Sequence, residues 1–124
     1  METPPPAPPL ADLDELRDRL RRFAQERDWE QFHSPKNLAM ALIAEAAELV
    51  EHFQWLTEEQ SRTLPAGTRA KVADELADVL VYLVRIADRL DIDLLAATAV
   101  KLAHNEAKYP AAKVRGSPKK YSEY

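Results

Sequence analysis

The chain has 124 residues, enough for one domain with a modest core. With 46% hydrophobic and 31% charged residues it reads as an ordinary globular protein, and its lack of cysteine excludes disulfides, thiolate zinc sites and cysteine nucleophiles. A net charge of −4 argues against the basic face of a nucleic-acid coat but not against a nucleotide held through divalent cations.

Residues 1–11 open with a proline-rich stretch, Met1 to Pro9, that has neither the basic start nor the apolar centre of a signal peptide. They are expected to form a disordered lead. The first helix begins at Asp12, with Glu15 three residues on as a capping box, and carries Leu13, Leu16, Leu20 and Phe23 to about Arg27. A loop from Asp28 to Ser34 holds Trp29, Phe32 and His33. Ser34 as N-cap and Pro35 at the first helical position start the second helix, which is expected to run to about Leu56 on Leu38, Leu42, Leu49 and Phe53. A polar connection, Thr57 to Thr68, contains Pro65 and Gly67. The third helix spans about Arg69 to Leu90, and Asp93 caps a fourth that Pro110 halts.

Residues 111–124 read as an irregular tail. Only two glycines occur and no stretch alternates with a period of two, so residues 12–110 are expected to be one all-α domain, a four-helix bundle-like protomer. No apolar run approaches the roughly 20 residues that span a bilayer, and a cytoplasmic location is expected.

The informative feature is where four acids sit against the apolar stripes. Advancing about 100° per residue puts Glu45 at the border of the stripe on the second helix, with Glu48 one step along the same side. Glu75 and Asp78 repeat the arrangement on the third helix. Packing the two helices through these seams would gather four carboxylates, which is costly unless cations compensate. Oxygen-only clusters suit magnesium or manganese, and magnesium commonly binds carboxylates together with substrate phosphates. Acid pairs at this spacing are also common as solvated surface, so a non-catalytic helical interaction module or a nucleotide sensor stays open here. A di-iron bundle needs two E-x-x-H motifs, and the chain has one, Glu30 to His33, in a loop. Ser34 and Ser61 show no base that would make either a nucleophile.

Glu45-Ala-Ala-Glu48 followed by Glu75-Leu-Ala-Asp78 resembles the signature of the all-α nucleoside triphosphate pyrophosphohydrolases, the MazG-like proteins and dimeric dUTPases. Asp28-Trp29-Glu30-Gln31-Phe32-His33, Lys36-Asn37-Leu38, Phe53-Gln54-Trp55 and Lys108-Tyr109-Pro110 look like the dCTP pyrophosphatase branch of that group. The resemblance implies magnesium-dependent hydrolysis of a nucleoside triphosphate, dCTP or a modified dCTP above others, to the monophosphate and pyrophosphate. It makes Glu45, Glu48, Glu75 and Asp78 the metal ligands, with Glu48 the choice to orient or deprotonate water. It puts Trp29, His33, Trp55 and Tyr82 around the base, and Lys101, Asn105, Lys108 and more weakly Lys36 near the phosphates. In one departure, Leu20 stands where the branch has a histidine, which bears on how strictly the base is selected. The group assembles as dimers or dimers of dimers, and a homotetramer is expected, with Val84, Leu95 and Val100 covered by partner chains.

Overall fold

The computed structural model describes residues 6–119 and 121–123, and of Tyr121 only the backbone. The protein is all-α, with no strand among the described residues. Two compact units follow one another, Met1–Asp91 and Ile92–Tyr124.

In the first unit, α1 (Leu13–Glu26), α2 (Pro35–Glu51) and α4 (Ala66–Arg89) are the long helices, with a short α3 (Glu58–Arg62) between the last two. Asp12 caps α1 by accepting from the Glu15 amide at 2.8 Å, and the Glu15 carboxylate accepts from the amide of Ala11 rather than from that of the cap residue. Ser34 caps α2 through the Asn37 amide at 3.1 Å, with Pro35 in the first turn where its missing N–H costs nothing. The two helices that need a reversal at their ends, α1 and α4, are each followed by an aspartate at φ 54°, Asp28 and Asp91. Aspartate is among the few side chains that tolerate this left-handed conformation.

α4 packs along α2 and against α1. The core is small and lies on these contacts: Leu16 and Ala24 of α1, Leu38 of α2, and Val72, Val84 and Ala87 of α4. Val84, expected to need a partner chain, is therefore covered within its own unit, whereas Leu95 and Val100 are exposed. The expected apolar seam of α4 is divided: Val72 and Val79 face inward, while Leu76, Leu80 and Leu83 are exposed.

Several boundaries differ from expectation. α2 stops at Glu51 and turns carry the chain to Leu56. The polar connection contains α3, closed by a full capping box in which Thr57 and Gln60 exchange bonds of 2.9 and 3.1 Å. α4 begins at Ala66, directly after Pro65, with Gly67 in its first turn. Of the lead, residues 1–5 lie outside the described residues. Pro8 and Pro9 accept bonds from the Arg19 guanidinium through their carbonyls, so that part of the lead is tied to α1.

The second unit consists of α5 (Leu94–Lys108), α6 (Ala111–Val114) and a 3₁₀ turn, Tyr121–Glu123. Asp93 caps α5 through the Ala96 amide at 3.0 Å. Residues 111–114 of the tail are thus helical where an irregular run was expected, because Pro110 ends one helix and starts the next.

Candidate active site

α2 and α4 each present two acids on neighbouring turns. Carboxylate oxygens of Glu45, Glu48 and Glu75 lie within 4.8 Å of one another. Asp78, one turn beyond Glu75, is not in that trio but adds its charge to the field at Glu45 and lines the pocket next to it. Glu45 and Glu75 are half-buried, and one carboxylate oxygen of each is enclosed without a hydrogen-bond partner among the described residues. Burial first, then the hydrogen bond and charge of Glu48, then the charges of Asp78 and Glu75 push the Glu45 carboxyl up to about 7.

Enclosed oxygens facing like charges are costly, and a divalent cation relieves both problems at once. All the donors in the trio are carboxylate oxygens, which suits magnesium or manganese. The residues present fit such an ion. His52, in the turn that follows α2, stands with Nε2 3.6 Å from Glu75 Oε1.

Beside Asp78 a pocket of about 300 Å³ opens between α1, the loop before α2, and α4. Its walls include Phe23, Trp29, His33, Leu38, Tyr82 and Arg85. Phe23 meets Trp29 edge-on at 5.6 Å and Trp29 meets His33 at 6.2 Å, so three rings brace one another. Leu20, at the position of the departure from the branch pattern, is part of the same wall and makes it apolar.

Glu75, Asp78, Tyr82 and Arg85 follow one another at three- and four-residue steps, so one stripe of α4 serves both the acid cluster and the pocket. Trp29, His33 and Tyr82, expected around the base, line this pocket. Trp55 does not: α2 has already ended, and the indole is 87% exposed in the following turn. Lys36 is exposed in the first turn of α2 and is not a lining residue. Lys101, Asn105 and Lys108 lie on one face of α5, in the second unit.

Arg85 had not been expected at the site. It is 4% exposed and hydrogen-bonds Asp88, which also receives a bidentate pair from Nε and Nη2 of Arg21 of α1. The Arg21 bonds, opposed in part by burial, hold the Asp88 carboxyl below its usual range.

Residues 41–124 match the model of the MazG-like family. Over 117 residues the chain is 45% identical to dCTP pyrophosphatase 1 of Mus musculus, and over 119 residues it is 45% identical to that of Homo sapiens. Both alignments cover 93% of this chain and 69% of the relative. A crystal structure of a pyrophosphatase from Archaeoglobus fulgidus has the same fold, with a TM-score of 0.76 and 36% identity over 86% of this chain and 99% of that one. Acids paired on two packed helices, a pocket beside them and these likenesses together make the chain a member of the MazG-like family, an enzyme of the nucleoside triphosphate pyrophosphohydrolase class.

Proposed function

We propose that this enzyme hydrolyses dCTP, or a modified dCTP, to the monophosphate and pyrophosphate, using magnesium (or manganese in its place) held by Glu45, Glu48, Glu75 and Asp78. The observation that carries this reading is the juxtaposition on one stripe of α4. Acids with enclosed, unpartnered oxygens adjoin a ring-walled pocket large enough to seat a base. The names of the Mus musculus and Homo sapiens relatives point to the same substrate.

A bound divalent ion supplies charge neutralisation at the phosphates and acidifies water. The chain's own residues do the rest. Trp29 and Tyr82 offer flat faces to the base, with Phe23 and His33 keeping the indole in place. Glu48, the exposed acid of the trio, orients a water toward the α-phosphorus and accepts its proton. The bond from that phosphorus to the bridging oxygen breaks and pyrophosphate leaves. Lys101, Asn105 and Lys108 belong to this proposal as phosphate ligands by resemblance alone.

The proposal includes a homotetramer, a dimer of dimers, in the cytoplasm. The exposed row Met40, Ile43 and Val50 on α2 and the row Leu76, Leu80 and Leu83 on α4 support assembly. No helix among the described residues is long and apolar enough to cross a membrane.

The test is pyrophosphate release from a panel of nucleoside triphosphates with magnesium, repeated with Glu48→Gln. Release with dCTP highest, lost in the variant while its helical spectrum is unchanged, is the expected result. Folded protein that binds nucleotides tightly yet releases no pyrophosphate with either metal overturns the hydrolase and leaves a sensor.

A further inference from the structure

One wall of the pocket holds a charged group that the proposed hydrolysis does not use. Arg85 sits within the apolar run Leu83-Val84-Arg85-Ile86-Ala87. Its Nη1 donates to Asp88 at 3.2 Å, its Nη2 lies 3.5 Å from Glu30 Oε1, and its Nε–H points at Nδ1 of His33, 3.3 Å away. One turn further along α4, Nε of Arg89 donates to the His33 carbonyl at 3.1 Å. Two arginines therefore hold one histidine, by its ring and by its main chain.

A guanidinium stays protonated and offers only donors. Nδ1 of His33 must then turn its lone pair to Arg85, because a proton there would set N–H against N–H. The ring is consequently neutral with its hydrogen on Nε2. The surroundings agree: burial first, then the charges of Arg85 and Arg89, outweigh Glu30 and hold the imidazole below its usual range. The remaining ionisable groups in the pocket wall are Asp78 and Tyr82. No hydrogen bond to Nε2 occurs among the described residues, so the Nε2–H is the polar contact this ring can offer a ligand.

We propose that Arg85 is a positioning residue that locks His33 as the Nε2–H tautomer, so that the pocket selects a pyrimidine presenting an acceptor, O2 or unprotonated N3, to that hydrogen. This rests on the nucleotide reading of the pocket and names what the pocket recognises. A base that turns an exocyclic amine toward His33 meets donor against donor and is disfavoured.

The experiment is ring-nitrogen NMR of the full-length, nucleotide-free protein, with Arg85→Met and Arg85→Lys alongside, and kinetics with dCTP at pH 7.5. Wild type is expected to show a neutral Nε2–H ring at His33. In Arg85→Met the ring becomes a tautomer mixture and titrates at higher pH. The KM for dCTP rises about tenfold while kcat stays within about threefold, as for one lost hydrogen bond. Arg85→Lys, which keeps a donor, recovers part of that loss. A wild-type ring protonated on Nδ1, or a His33 titration unmoved by Arg85→Met, overturns the proposal. Should the methionine variant not fold, the wild-type spectrum decides alone. The spectrum needs no turnover: absence of pyrophosphate release refutes the hydrolase separately, and the state of the ring still decides the role of Arg85.

Discussion

Glu45→Gln isolates the electrostatic load of the acid cluster without any substrate. The Glu45 carboxyl is raised from 4.5 to about 7, so between those values the metal-free folded state binds a proton more tightly than the unfolded chain. Stability is then fullest below about pH 4.5, falls as pH climbs through about 7, and levels off above. The shift corresponds to roughly 3 kcal/mol at most, and solvent at this half-buried site reduces it to about 1–2 kcal/mol. Glutamine keeps the shape and removes the ionisation. At pH 8 in chelator the variant should melt above the wild type by roughly 3–10 °C, given about 3–5 °C per kcal/mol for a chain of this size. At pH 5 the two should melt within about 2 °C of each other. Magnesium should raise the wild-type melting temperature at pH 8 and raise that of the variant less. The measurement is scanning calorimetry at fixed protein concentration, because assembly would otherwise shift the midpoint. A variant that melts below the wild type at pH 8, or a difference that ignores pH, would refute the reasoning.

Three further outcomes follow from packing and recognition. Trp29→Ala should raise the KM for dCTP by about 5- to 150-fold through lost stacking, with kcat changed far less, in steady-state kinetics. Arg21→Ala leaves Asp88 and Arg85 without their third member and should lower the urea midpoint at pH 7. Because the Asp88 carboxyl is depressed, its contribution is present above its unfolded value of 3.8 and fades as pH falls through the lower folded value, so the variant and wild type should converge in acid. Ser34→Ala removes the α2 cap and should cost about 1 kcal/mol by the same assay, while Ser34→Gly costs only a few tenths.

Much of this architecture was legible because it depends on near neighbours. Asp12, Ser34-Pro35 and Asp93 announce helix starts by chemistry local to one turn, and each caps the helix it precedes. The acids at 45, 48, 75 and 78 were readable as a pattern because helical spacing alone decides that they share a face. Arg85 continues the same spacing after Glu75, Asp78 and Tyr82, yet its meaning comes from His33, fifty-two residues away in the chain. The available signal was a lone cation in a run of aliphatic residues, which seldom survives burial without partners. The early end of α2 had no such signal, since no glycine or proline lies between Glu51 and Leu56. α3 is too short to show a period, and only its Thr57-x-x-Gln60 spacing marks its start. Leu76, Leu80 and Leu83 illustrate a further limit of pattern reading: periodicity marks a face as apolar without saying what covers it.

A single helix, α4, that contributes to both the acid cluster and the pocket wall acts as a ruler. From Glu75 to Arg85 the rise is about 15 Å, and every step along it also fixes an angle. On the proposed reading, exchanges near the arginine would alter which base is welcome while the acids keep their spacing, so taste and chemistry would be free to evolve separately. An extra residue between Asp78 and Tyr82 would do the opposite. It would swing everything beyond it by about 100° and uncouple the two ends at a stroke.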